Sequence, residues 1–310
     1  MDIKRLYIPS FGFSLLIITS LFIKSIEKKM KVYLVPIMLL CFLYFVILFL
    51  TTIKRNSLFK NPIALWKDVI SKNPKHSEAY IEIGSLYMEQ GKYQEAIMVY
   101  KKALEINPKS AKGYANLGLV YSKIGEIEEA MEMYKAAINL VPNYYPEIYN
   151  NLGVLYLKLG KYHEAIPFFK RAILINRNFP EAFVNWGNAY YFTKEYRKAI
   201  QKYREALNLD PNHIEANYNL GVILMKLGKM NEAFLQFKKT IQLAPYHSKA
   251  HFKIGMLYYY QKKYKEALKE FEMVVKLDPQ NKDAREKIEE IRNLASKWPV
   301  VEQISERRKK

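Results

Sequence analysis

A single cysteine, Cys41, stands among 310 residues, so no internal disulfide can staple the chain and no cysteine metal site can form. No alanine precedes Ala64, which removes the small-residue cleavage site that a processed signal peptide needs. Acidic residues are scarce at the start, with 12 Lys or Arg against 3 Asp or Glu over residues 1–76. There is no glycine-rich phosphate loop and no nucleophile with a base beside it. His247 and His251 are four apart, but His247 falls in a turn and no carboxylate cluster completes a metal site. No basic stripe with interleaved aromatics resembles a nucleic-acid reader. These absences point away from catalysis, cofactors and nucleic acid.

What is present begins with two apolar segments. Residues 32–53 (VYLVPIMLLCFLYFVILFLTTI) carry no charge over 22 positions, enough at 1.5 Å per residue to span roughly 30 Å of hydrocarbon. Pro36 lies near the start, where a missing N–H does least harm. Residues 6–23 (LYIPSFGFSLLIITSLFI) are also uncharged and just long enough to span, with Pro9 and Gly12 weakening the start. A membrane hairpin over residues 1–55 is the expectation. The connection KSIEKKMK packs four lysines into Lys24–Lys31. The positive-inside rule favours a cytoplasmic place for that loop, which leaves the chain beyond residue 53 outside the cytoplasm in a multi-pass membrane protein.

An internal repeat fills most of the remainder. Gly84, Gly118, Gly153, Gly187, Gly221 and Gly255 recur at steps of 34 or 35, each followed twelve residues on by an alanine, Ala96 to Ala267. Pro108, Pro142, Pro211, Pro245 and Pro279 close five repeats, and Arg177 replaces the proline of the third. The spacing predicts two amphipathic helices per unit. Small residues let them approach, aromatics such as Tyr87, Tyr121, Tyr156 and Tyr190 fill the space between them, and the proline stops the second helix. One such unit cannot bury its own apolar face, but a stack can.

The pattern resembles the tetratricopeptide repeat (TPR). The resemblance implies a right-handed superhelix, an α-solenoid, so that with the two expected transmembrane helices before it the chain is all-α. Six repeats cover 77–110, 111–144, 146–179, 180–213, 214–247 and 248–281. Residues 56–76 form a linker and half-repeat closed by Pro74. Residues 282–296 put Ala284, Ile288, Ile291 and Ala295 on one face of a capping helix, and 297–310 read as a frayed basic end.

Arrays that this chain resembles bind peptides in a groove lined by each first helix. The sixth position of the repeat faces that groove in the family and holds Asn116, Asn151, Asn185 and Asn219, with Glu82 and Lys253 at the ends. This row looks like the asparagine ladder of O-linked N-acetylglucosamine transferases. Each amide offers a donor and an acceptor, to a peptide backbone or to neighbouring helices. At about 1 kcal/mol per bond, four bonds alone give roughly millimolar affinity, so Tyr191, Phe192, Tyr218, Phe252, Tyr259 or Tyr260 would have to help. Asn188, Asn219, Lys249 and Lys253 fall on four of the five positions of the carboxylate clamp that grips chaperone C-termini, while Val184 stands at the clamp's first lysine position.

The N-terminus carries a second resemblance. The order RLYIPSFGF, a further apolar segment, TIKRNSLFKNPIALWKDVISKNP and then repeats is similar to the C-terminal part of TPR-containing membrane O-mannosyltransferases and their bacterial relatives. In that family the membrane half carries catalysis and the repeats are thought to engage acceptor protein on the outer side. Two membrane segments stand here in place of about ten, without the acidic catalytic loop, so the chain is not expected to be an enzyme by itself. The resemblance leaves two readings. One is a membrane-anchored scaffold binding protein segments, with lipid around its two helices. The other is the acceptor-recognition part of a split or truncated glycosyltransferase, with the catalytic protein as a partner.

Overall fold

A computed structural model describes residues 31–59 and 61–307, with side chains over 36–52 and 61–294. Among the described residues there are fifteen helices and no strand. They divide into two compact units at Pro74.

In the first unit, α1 (Lys31–Phe59) contains the whole uncharged run. At 1.5 Å per residue its 29 residues extend about 43 Å. Pro36 falls inside the helix, in its second turn. Leu39, Phe42, Tyr44, Phe49 and Leu50 are all exposed, so no polar face interrupts the surface. Among the described residues no helix is long and apolar enough to cross a membrane; the side chains of α1 are described only from 36 to 52. The helix expected at 6–23 and most of the lysine-rich loop lie outside the described residues. After Asn61, whose side chain accepts from Ala64 N at 3.2 Å, α2 (Pro62–Lys72) runs with proline at its first turn, where the missing donor is harmless.

The second unit is a run of helix pairs: α3 (Ser77–Glu89) with α4 (Tyr93–Ile106), α5 (Ala111–Ile124) with α6 (Ile127–Leu140), α7 (Pro146–Lys158) with α8 (Tyr162–Ile175), α9 (Pro180–Phe192) with α10 (Tyr196–Leu209), α11 (Ile214–Lys226) with α12 (Met230–Leu243), and α13 (Ser248–Tyr260) with α14 (Tyr264–Leu277). Each second helix packs on the first helix of the next pair. First helices also touch one another through the first five repeats, without a comparable contact between second helices. The first helices therefore line the inner side of the curve.

Why the pairs cross so closely is visible at the repeat glycines. A Cβ on Gly84 would lie 2.4 Å from the Tyr100 ring, and on Gly187 2.5 Å from Tyr203. A Cβ on Gly118, Gly153, Gly221 or Gly255 would lie 2.9, 2.6, 2.7 or 2.7 Å from Tyr134, Phe169, Phe237 or Phe271 in turn. These six rings, sixteen residues after each glycine, are buried to within 1 % and are the main wedge of each pair. The aromatics singled out from sequence, Tyr87, Tyr121, Tyr156 and Tyr190, are only partly buried around them.

Between the paired helices the chain reverses through a left-handed residue. Gly91, Gly125, Gly160 and Gly228 hold φ between 72° and 90°, and the equivalent Lys194 and Lys262 hold 63° and 60°. For lysine that conformation costs about 1–2 kcal/mol, so repeats four and six carry strain that the other turns avoid. Between pairs, a histidine follows the closing proline by two residues at His76, His213 and His247, and its Nδ1 accepts from the backbone N–H three residues on, at 3.1–3.3 Å.

The last helix, α15 (Lys282–Arg307), covers the sixth pair by burying Ala284, Ile288 and Ile291 against Ala267, Phe271 and Val274. Each buried isoleucine contributes about 1.5–3 kcal/mol. The helix continues to Arg307, through residues that read as a frayed end.

Candidate functional site

The asparagine row lies on consecutive first helices, and its amides are engaged inside the array. Asn116 Nδ2 donates to Ser85 Oγ at 3.4 Å, and Ser85 Oγ shares a bond of 3.1 Å with Tyr100 OH. Asn151 Nδ2 donates to Tyr134 OH at 3.4 Å. Asn219 Nδ2 donates at 2.9 Å to Asn188 Oδ1, which also accepts from Tyr203 OH at 2.7 Å. Each asparagine thus ties its repeat to the wedge tyrosine of the repeat before it.

The phenylalanine wedges that precede another repeat, Phe169 and Phe237, follow the same logic. Phe169 offers no hydroxyl, and Asn185 Nδ2 instead finds Asn150 Oδ1 at 2.9 Å. After Phe237 the sixth position is Lys253. Burial raises the tyrosine hydroxyls above their usual range: Tyr134 to about 12, against a lowering bond from Asn151, and Tyr203 further, with the Glu215 charge adding to burial. They stay protonated and able to donate at any physiological pH. Among the described residues the Oδ1 atoms of Asn116, Asn151, Asn185 and Asn219 accept no bond.

Charge along the first helices changes sign. Glu78 and Glu82 close on Lys112 Nζ at 2.5 and 2.8 Å. Burial lowers the Lys112 pKa, but the hydrogen bonds that Lys112 donates to the two carboxylates, with their charges, outweigh it and raise it overall. Glu147, Glu181 and Glu215 occupy the second position of repeats three to five and are exposed. Glu215 Oε1 lies 3.3 Å from Asn188 Nδ2 and 3.4 Å from Asn219 Nδ2. In the sixth repeat the same positions hold exposed Lys249 and half-buried Lys253, and neither forms an ion pair among the described residues.

The structure does not assemble the carboxylate clamp. Val184 is buried, 1 % exposed. The Asn188 carbonyl is occupied twice, and Glu215 stands where a guest carboxylate would have to approach. The aromatic helpers divide. Tyr218 packs between the rings of Phe237 and His247, at 5.8 and 4.9 Å, and Phe252 packs on Phe271 at 5.5 Å. Tyr259 OH donates to Glu290 of α15, while Lys226 Nζ lies 5.1 Å over Tyr191. Phe192 and Tyr260 remain exposed, Phe192 stacked at 4.9 Å on Tyr162.

Neither histidine of the spaced pair faces the other. His247 caps α13, and His251, buried, meets Glu270 Oε2 at 2.6 Å and the Pro245 carbonyl at 3.0 Å. Among the described residues no group of three or more His, Cys, Asp or Glu is placed to hold a metal. Burial, with the charges of Lys249 and His251, lowers the His247 pKa below 6.5. The folded state then binds fewer protons than the unfolded one. Stability from this cap is full above pH 6.5 and falls as pH drops through 6.5 toward the lowered value. Melting at pH 7.5 and pH 5.5 should show a smaller acid loss for His247→Asn, which keeps an acceptor without the titration. His247→Ala should cost about 1 kcal/mol at pH 7.5 and less at pH 5.5, where protonation has already weakened the cap. Equal acid loss in wild type and His247→Asn would contradict this role.

Sequence reasoning missed the wedge ring sixteen residues after each glycine, the histidine two residues after a closing proline, and Asn150. The first two recur at fixed spacing and were open to the same alignment that found the glycines; Asn150 occurs once and left no periodic signal.

Family models described as TPR repeat match residues 84–125, 123–160 and 187–228, and models described as tetratricopeptide repeat match 65–98, 146–179, 214–247 and 248–281. Solved structures with this fold include a chain of the APC/C hetero-tetramer Cut9-Hcn1, at 19% identity and TM-score 0.64, covering 75% of this chain and 46% of that one. The present chain thus spans less than half of that relative. PilF of Pseudomonas aeruginosa matches at 22% identity and TM-score 0.61 over 70% of this chain and 96% of its own. PilW, a type IV pilus biogenesis factor, matches at 19% identity and TM-score 0.61 over 69% and 97%. No curated protein sequence matches the chain.

Proposed function

Because the chain belongs to the tetratricopeptide-repeat family, we propose that it is a scaffold that holds an extended protein segment of mixed charge along its first helices. The observation that carries this reading is the change of sign along the row. Exposed Glu147, Glu181 and Glu215 are followed by Lys249 and Lys253, which have no ion pair among the described residues. Basic side chains of the segment meet the glutamates, and an acidic end meets the two lysines. Titrating the full chain with a fluorescent peptide of basic and then acidic residues should give saturable binding. Lys249→Glu with Lys253→Glu should weaken it at least tenfold, about 1.4 kcal/mol, and unchanged binding would reject the groove.

Membrane anchoring belongs to the same proposal. The continuous helix α1 and its exposed apolar side chains support it, and the lysines of residues 24–31 favour an array outside the cytoplasm. An external protease that leaves residues 60–310 intact on whole cells contradicts that placement. The resemblance of residues 4–76 keeps a second reading, acceptor recognition for a membrane O-glycosylating enzyme. Its expected companion is a neighbouring reading frame encoding the missing membrane helices, and a neighbourhood without one counts against it.

A further inference from the structure

A different surface departs from the repeat's own pattern at three positions that meet in space. Near the end of the second helix, where other repeats place Glu105, Asn139, Asn208 and Gln242, the third repeat has Leu174, 63% exposed. Its closing proline is replaced by Arg177. On the next first helix, where others place Ile83, Leu117, Leu152, Leu220 and Ile254, stands Trp186. These three, with Lys170, Ile173 and Phe183, line an open cavity of about 390 Å³. None of the six belongs to the asparagine row.

The chemistry of the cavity is consistent. Its floor is the indole and aliphatic side chains, and its rim holds Lys170 and Arg177, both exposed and without an ion pair among the described residues. Lys202 Nζ, paired with Glu205, lies 3.9 Å from the centre of the Trp186 ring, and Lys170 Nζ lies 5.5 Å from it. The ring is thus held in place by cations. Trp186 Nε1 is buried without a hydrogen-bond partner, a cost that an aliphatic residue would not incur. The other repeats close this seam with leucine or isoleucine, so the fold itself does not call for tryptophan.

We propose that this cavity is a second docking site, for an acidic protein segment that inserts one bulky apolar side chain between Leu174 and Trp186. Its flanking carboxylates pair with Lys170 and Arg177. An apolar floor under an unpaired cationic rim selects that combination, and it disfavours the chain's own basic C-terminus, which ends in RRKK.

The test is anisotropy of the fluorescein-labelled hexapeptide Asp-Glu-Phe-Leu-Asp-Glu with the full chain in lipid nanodiscs. Expected are saturable binding, at least tenfold weaker binding of Lys-Lys-Phe-Leu-Lys-Lys and of Asp-Glu-Ser-Gly-Asp-Glu, and at least a tenfold loss in Lys170→Glu with Arg177→Glu. Trp186→Leu, which restores the pattern of the other repeats, should lose binding while its melting midpoint stays within about 4 °C of wild type. Lys249→Glu with Lys253→Glu should leave this binding unchanged, which separates the cavity from the groove. Failure to saturate, equal binding of the basic peptide, or indifference to the Lys170 and Arg177 changes would overturn the proposal.

Discussion

Gly187→Val should destabilise the array by about 3 kcal/mol, at the upper end of the range for overpacking a filled core. Even the first added carbon would fall 2.5 Å from Tyr203 Cε1. That ring cannot retreat, because it is 1 % exposed and its hydroxyl is bound to Asn188 Oδ1 at 2.7 Å. The damage should be local at first. In a stack where each pair touches only its neighbours, breaking one interface separates the repeats on either side, and denaturation should split into two transitions. Gly125→Ala supplies the contrast: nothing lies within 4 Å of its added carbon, and φ is 90°, so it should cost only about 1–2 kcal/mol through the backbone. Equal losses for the two variants in urea denaturation would contradict the close-crossing account.

Phe237→Ala should cost about 3–5 kcal/mol, the usual loss for truncating a fully buried aromatic. Phe237 fills the space over Gly221 and belongs to the cluster of Leu220, Ile254 and Leu257. A subtler change at the same position tests why some wedges are tyrosine. Tyr100, Tyr134 and Tyr203 each precede a repeat with asparagine at its sixth position, while Phe237 precedes Lys253. Phe237→Tyr adds a hydroxyl with no amide to meet it and should lose about 1 kcal/mol or more. Adding Lys253→Asn should restore most of that loss. A melting midpoint that Lys253→Asn fails to raise in the Phe237→Tyr background would break the link between wedge and row.

The pairing of helices, the close crossing at each glycine and the break at each proline were all legible, because each depends on one residue type recurring at a fixed spacing. Fold comparisons and family models agree on the repeat itself. The use of the asparagines was not legible. An amide at the sixth position can face a ligand or a neighbouring helix, and the choice rests on Ser85, Tyr134, Asn150 and Asn188, which lie up to 35 residues away in sequence. The carboxylate clamp is absent for a related reason: Asn188 and Asn219 stand at clamp positions, but folding brings Glu215 against both. The turns show a third kind of limit, since Lys194 and Lys262 take up a left-handed conformation that their side chains disfavour. Only the geometry of the other four repeats reveals that they must.

The central claim is a division of labour, in which the asparagines hold repeat to repeat and the lysines of the sixth repeat meet the ligand. The most direct measurement is to melt two double variants and to titrate each with the mixed-charge peptide. Asn185→Ala with Asn219→Ala should lower the melting midpoint and keep most of the binding at temperatures where the array is folded. Lys249→Glu with Lys253→Glu should melt like wild type and bind at least tenfold more weakly, about 1.4 kcal/mol. The opposite pairing, with binding lost in the asparagine variant at an unchanged midpoint, would contradict it.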